Sequence, residues 1–142
     1  MKKVLFLDID GVLNTIASMA EGVELVPEKV IHIRDICEAT QSKIVISSTW
    51  RFMYSLQELN SILRLVGLHG NLIIDKTPDM DGIRGKEIEK WLQDHPEVSL
   101  YAIVDDDADM LESQKQFFVQ TNVMAGITTR ERDQLIDILI RE

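Results

Sequence analysis

Cysteine is almost missing from this sequence: Cys37 is the single one among 142 residues. No disulfide can form within the chain. With no histidine or basic neighbour in sequence to favour the thiolate, Cys37 is expected to pack as a small hydrophobe in a reducing, cytoplasmic setting. Long apolar runs are missing too. Val4 to Leu7 stops at Asp8, far short of the roughly 18 residues of a membrane span. The four apolar residues after Met1-Lys2-Lys3 are likewise too few for a signal-peptide core of about 7, so neither membrane insertion nor export is expected. Positive charge is in deficit: 15 basic against 24 acidic side chains leave a net charge of −9, which argues against a broad basic surface for duplex nucleic acid or anionic lipid. The three histidines, His32, His69 and His95, have no partners at zinc-ligand spacing. Repeats, low-complexity stretches and linkers are absent. A 45% hydrophobic, 27% charged chain of this length is expected to form one globular domain over residues 1–142, with a core that needs no staple.

What is present is an alternation of apolar runs and amphipathic stretches. Val4-Leu5-Phe6-Leu7, Lys43-Ile44-Val45-Ile46, Leu72-Ile73-Ile74, Tyr101-Ala102-Ile103-Val104 and Phe117-Phe118-Val119 read as five strands buried on both faces. Between them lie helical patterns: Pro27 opens a stripe of Val30, Ile33, Ile36 and Cys37, and Ser55 with Glu58 caps Leu56, Leu59, Leu63 and Val66 before Gly67. Ile88, Trp91 and Leu92 mark a helix closed by His95-Pro96, and Thr128 with Glu131 caps a last one carrying Leu135, Ile138 and Leu139. Thr15 to Val26 and Asp75 to Gly82 read as loops. The pattern predicts an α/β fold, a three-layer Rossmann-like domain with a five-stranded parallel sheet, whose ligands bind beyond the carboxyl ends of the strands.

Two of those ends are acidic: Asp8-Ile9-Asp10 after the first strand and Asp105-Asp106-Asp107, with Asp109, after the fourth. A single Asp after a strand is usually a solvated loop residue. Two clusters at equivalent strand ends would repel one another unless a cation intervened, and a hard, oxygen-seeking ion such as Mg²⁺ suits such ligands and leaves room for phosphate. Asp8, Asp10, Asp105 and Asp106 are the candidate ligands. Asp8 and Asp10 lie two apart, so one could attack phosphorus while the other moves protons, and Gly11 lets the chain turn close to a bound group. After the second strand, Ser47-Ser48-Thr49 could hold a phosphate oxygen through hydroxyls and backbone N–H groups. Arg51 could contact phosphate or a polyanion through paired donors, whereas Trp50 reads as packing. Arg84 and Lys86 stand at a helix start that disfavours cations, so an anion is expected nearby.

These segments resemble the haloacid dehalogenase (HAD) superfamily of phosphotransferases. LFLDIDGVLN is similar to its first motif, VISS to its second, the Arg84/Lys86 region to its third and IVDDDADM to its fourth, which covers nearly the whole chain. The resemblance implies Asp8 as nucleophile, Asp10 as acid/base and Ser47 as phosphate-binding hydroxyl. It further implies a basic residue from the third helix, Arg84 being favoured over Lys86, and Asp105 or Asp106 as Mg²⁺ ligand; the second Asp at position 10 implies phosphatase rather than dehalogenase chemistry. More narrowly, KIVISSTWR, RGKEIEKWL, DDDADM and the late GIT resemble the small HAD domain of Swiss Army Knife RNA-repair proteins, implying removal of phosphate from nucleic-acid ends.

Length adds an expectation. Only 36 residues separate Asp10 from Ser47 and 35 separate Ser48 from Arg84, which leaves no room for the cap domain that many HAD enzymes carry. An open site depends on its substrate to exclude water, which favours a phosphorylated macromolecular end over a small metabolite. Two other classes compete: a receiver-like domain phosphorylated on Asp75 after the third strand, and a catalytically silent phosphate-binding module.

Overall fold

The computed structural model describes residues 2–141. Its centre is a five-stranded, wholly parallel sheet in the order β3-β2-β1-β4-β5, formed by β1 (Lys2–Leu7), β2 (Lys43–Ile46), β3 (Ile73–Lys76), β4 (Val98–Asp105) and β5 (Phe118–Gln120). Val4 to Leu7 and Ile44 to Ile46 are wholly buried because helices cover both faces, and that is why these segments read as unbroken apolar runs. On one face Leu5, Leu7, Ile44, Ile46 and Val104 pack against Val30 and Ile33 of α2 (Pro27–Thr40), Leu59 and Leu63 of α3 (Leu56–Arg64), and Leu135 and Leu139 of α5 (Thr129–Leu139). On the other, Val4, Phe6, Val45 and Ile103 meet Ile88 and Trp91 of α4 (Arg84–Gln93), with the Phe6 ring edge-on to Trp91 at 5.4 Å.

The chirality of parallel crossovers explains this division. From β1 through β3 the chain advances towards one sheet edge with α2 and α3 on one face. It then crosses to the other side of β1, and because the direction reverses, the crossover helix α4 must lie on the opposite face. The reversal opens a crevice between the carboxyl ends of β1 and β4, where this architecture binds ligands.

Several local expectations shift. The stretch Thr15 to Val26 contains a short helix, α1 (Ile16–Ala20), capped reciprocally by Thr15 and Ser18 and burying none of its side chains. Without an apolar stripe it left no periodic trace. β3 takes in Asp75 and Lys76, expected in a loop: on an edge strand their polar groups find partners, Asp75 Oδ2 accepting from Trp91 Nε1 at 2.8 Å and Lys76 Nζ donating to the Arg51 and Tyr54 carbonyls. Cys37 is buried and free, and burial pushes its thiol up to about 12. Among the described residues no helix is long and apolar enough to cross a membrane.

Candidate active site

Strand register assembles the site. Leu7 pairs with Ile46 on one side and Val104 on the other, so Ser47, Asp8 and Asp105 stand level at the ends of the three central strands. They continue the row of Val45, Phe6 and Ile103 and therefore face α4. Asp106 follows on the β4 exit, and Asp8, Asp105 and Asp106 each offer an oxygen within 4.8 Å of the others. Arg84, the first residue of α4, reaches into this group, its Nη1 lying 3.0 Å from Asp8 Oδ1 and 2.6 Å from Asp105 Oδ2. The cation at a helix start is thereby explained: two carboxylates compensate for the unfavourable dipole.

Asp8 is 5% and Asp105 0% exposed. Burial, then the charge of Asp105, push Asp8 up to about 9 against the opposing pull of Arg84. Burial likewise raises Asp105, although Arg84 and the Asp107 N–H work the other way. Burial opposes the charge on Arg84 too, yet its two carboxylate partners hold it above its ordinary value. Three carboxylates facing one guanidinium leave unbalanced negative charge in a poorly solvated place. The donor set is all oxygen, and it fits a hard divalent ion such as Mg²⁺.

Asp10, expected among the ligands, lies outside this group. It is exposed, and its Oδ1 accepts from Asn14 Nδ2 at 3.0 Å and Trp50 Nε1 at 3.2 Å. Trp50 is indeed packed, at 6% exposure, but its indole N–H also orients Asp10, a role that a reading of Trp as core filler misses. Asn14 has three tasks: it accepts from the Gly11 N–H and donates to both Asp10 and the Glu24 carbonyl, holding the turn after β1 together.

Gly11 has φ +82°, and a Cβ placed there would lie 2.5 Å from Asp106 Oδ2. The turn and the approach of Asp106 therefore both require glycine. Thr121 Oγ1 donates to the Gly11 carbonyl and Gln120 Nε2 to that of Asp106, so the last residue of β5 and the one after it brace this contact. Gly11→Ala is expected to cost about 1–3 kcal/mol of stability and to displace Asp106. Thermal unfolding and calorimetric titration with Mg²⁺ measure the two effects, and unchanged Mg²⁺ affinity would contradict the displacement.

The remaining candidates divide. Ser47 is fully buried, its hydroxyl has no hydrogen-bond partner among the described residues, and it stands beside Asp8. Ser48 Oγ accepts from the Trp50 N–H and caps the 3₁₀ turn Thr49–Phe52, while Thr49 is exposed. Lys86 is exposed and forms no ion pair among the described residues, whereas Arg84 points inward. Arg51 departs most from expectation. All five of its donors are spent inside the protein: on the carbonyls of Ser47, Ser48, Thr77 and Pro78 and on Glu87 Oε2. None is left for phosphate, and Arg51 is a strut beneath the site. Asp109 is also structural, since its Oδ2 accepts the Arg84 N–H and its carbonyl the Gly85 N–H, capping α4 from another segment. Asp75, the receiver-type acceptor, is tied to Trp91 and stands 3.6 Å from His95 Nε2, apart from the three-carboxylate group.

A parallel sheet in this order, with one aspartate ending β1, two ending β4 and a cation from α4 between them, defines a HAD-type domain with a Rossmann-like fold, a class of hydrolases and phosphatases. Within that class the chain belongs to the family described as the HAD domain in Swiss Army Knife RNA repair proteins, which it matches over residues 4–131. No curated protein and no solved structure matches it.

Proposed function

We propose that this protein is a Mg²⁺-dependent phosphoric monoester hydrolase that works through an aspartyl-phosphate on Asp8, with phosphorylated nucleic-acid ends or nucleotides as substrates. The observation that carries this reading is the gathering of Asp8, Asp105 and Asp106 within 4.8 Å around the Arg84 guanidinium. An Asp8 oxygen attacks phosphorus, the bond to the leaving oxygen breaks, and Asp10 gives that oxygen its proton. Asp10 then takes a proton from water as the water attacks the phosphorus of the aspartyl-phosphate, which releases inorganic phosphate and restores Asp8. Trp50 and Asn14 both bind Asp10 Oδ1, which leaves Oδ2 for these transfers. The unpartnered Ser47 hydroxyl donates to a phosphate oxygen, and Arg84 holds Asp8 in position. A Mg²⁺ held by Asp8, Asp105 and Asp106 would neutralise charge on the carboxylates and the phosphate.

Asp10 is exposed, which supports a capless arrangement that takes the end of a large molecule rather than enclosing a small one. The buried Cys37 thiol accords with a reducing, cytoplasmic setting. The reading is tested by phosphate release from p-nitrophenyl phosphate and from end-phosphorylated oligonucleotides, with Mg²⁺ and with EDTA. Mg²⁺-dependent release is expected. Binding of Mg²⁺ and phosphate without turnover on any substrate would replace this reading with that of a silent phosphate-binding module.

A further inference from the structure

Asp10 is exposed, yet two buried side chains from different segments hold it. Its Oδ1 accepts from Trp50 Nε1 at 3.2 Å and from Asn14 Nδ2 at 3.0 Å, and these donors are 6% and 2% exposed. Neither is free to swing away. The Trp50 backbone N–H is bonded to Ser48 Oγ, its ring lies 5.7 Å from that of Tyr54, and the indole belongs to the larger core cluster. Asn14 is fixed through both ends of its amide: Oδ1 accepts from the Gly11 N–H, and Nδ2 donates to the Glu24 carbonyl as well as to Asp10. The Val26 N–H donates to the Leu13 carbonyl and closes the same loop. The donors are therefore part of the folded scaffold, and Asp10 takes its orientation from them.

An exposed carboxylate samples several rotamers when left to itself, and holding it in one costs side-chain entropy. Two rigid donors offset that cost here, and they single out one oxygen. Because Oδ1 receives both N–H groups, it carries no hydrogen of its own. In the acid form the hydrogen therefore sits on Oδ2, which has no hydrogen-bond partner among the described residues. The clamp thus does two things for a proton transfer: it chooses the oxygen that bears the hydrogen and fixes where that oxygen lies. Both matter, since transfer needs the donor within hydrogen-bond reach of the reacting atom and falls off steeply with misplacement.

We infer that Trp50 is a positioning residue that, together with Asn14, presents the Oδ2 hydrogen of Asp10 to the leaving oxygen and so fits the site to phosphate esters of weakly acidic alcohols. The inference rests on the phosphatase reading above and assigns what sets its range of esters. In the step concerned, an Asp8 oxygen bonds to phosphorus and the bond from phosphorus to the ester oxygen breaks, its electron pair staying on that oxygen. The Asp10 hydrogen passes to the same oxygen, which leaves a neutral alcohol and an Asp10 carboxylate. A nitrophenol departs readily as its anion and needs that hydrogen little, whereas phenol, a far weaker acid, depends on it.

The test is kcat/KM in Mg²⁺ for dinitrophenyl, p-nitrophenyl and phenyl phosphate, its logarithm plotted against the acidity of the leaving phenol. Trp50→Phe keeps an aromatic ring in the core and removes the donor. It is expected to lower kcat/KM for phenyl phosphate about tenfold more than for p-nitrophenyl phosphate, which steepens the plot. Asp10→Asn should steepen it further, and Trp50→Phe added to Asp10→Asn should leave the slope where Asp10→Asn alone puts it, because Trp50 acts through Asp10. Leu63→Ala opens a cavity in the same core cluster and removes no donor to Asp10; it should lower Tm and leave the slope unchanged. The inference is overturned if Trp50→Phe slows all three esters equally, if Leu63→Ala steepens the plot as much, or if the changes at positions 50 and 10 act additively on the slope. Failure of the two proposals can be told apart. Phosphate release with a slope that Trp50→Phe does not move sinks the positioning role alone, whereas no release from any of the esters by the unsubstituted protein sinks the phosphatase reading and this inference with it.

Discussion

Asp8→Asn is expected to reduce phosphate release from p-nitrophenyl phosphate by ~10³-fold or more, a loss of at least ~4 kcal/mol of transition-state stabilisation, with no fall in Tm. The amide has nearly the shape of the carboxylate but no nucleophilic oxygen anion, so the covalent step is lost rather than slowed by misplacement. Stability should hold because Asp8 sits where ionisation is unfavourable: burial and Asp105 raise it to about 9, and a neutral side chain relieves that repulsion. Arg84 keeps Asp105 as its partner at 2.6 Å, so α4 stays docked. A companion variant separates loss of the nucleophile from loss of an ion ligand. Asp106→Asn weakens the carboxylate group without touching the attacking atom, so excess Mg²⁺ should restore much of its activity and none of that of Asp8→Asn. Turnover by Asp8→Asn near the wild-type rate would remove the nucleophile assignment.

Where sequence reading succeeded, burial or charge left a local mark. β2 spans Lys43–Ile46 as expected because a strand covered on both faces must be apolar without interruption. The Ser55/Glu58 capping box forms as written. Arg84 could be singled out because a cation in the first turn of a helix contradicts local preference and so points to an anion nearby. Asp8, Asp105 and Asp106 were legible as strand-end acids, but only the pairing of β1 with β4 shows that their oxygens converge.

What the sequence leaves open is tertiary. The acid run after β4 allows Asp105 to be paired with Asp109 or with Asp106, the second being favoured, and the structure separates them by position: Asp105 and Asp106 face Asp8, whereas Asp109 caps α4. The tightness of that junction shows at Gly85, where a Cβ would meet the Leu111 nitrogen at 2.7 Å. Arg51 was misread for a related reason. An arginine three residues beyond a Ser-Ser pair at a strand end has the local chemistry of a phosphate clamp. What turns it inward is Glu87, 36 positions later on α4, a contact that exists only once α4 packs across the sheet.

That contact carries the second large effect. Arg51 and Glu87 are 5% and 2% exposed and meet at 2.9 Å. Removing one partner strands the other as a buried, uncompensated charge, which costs about 3–5 kcal/mol, and in this case the loss is shared by several elements. The guanidinium also holds the Ser47, Ser48, Thr77 and Pro78 carbonyls, while Glu87 Oε2 accepts the Met80 N–H at 2.9 Å. Arg51→Ala is therefore expected to lower Tm by about 10–20 °C. Arg51→Lys should rescue it only in part, because three donors on one nitrogen cannot span five acceptors set around a planar fork. Arg51→Met together with Glu87→Leu should be less damaging than Arg51→Ala, since no buried charge is then left unpaired, and a double-mutant cycle by chemical denaturation measures the coupling. Additive losses would show that the pair is not the strut described here. Because Arg51 fixes the backbone on which Ser47 stands, the double variant should stay folded yet lose turnover, with KM rising as the phosphate-binding turn loosens. A stability gain accompanied by full activity would show that the turn holds its shape without the guanidinium beneath it.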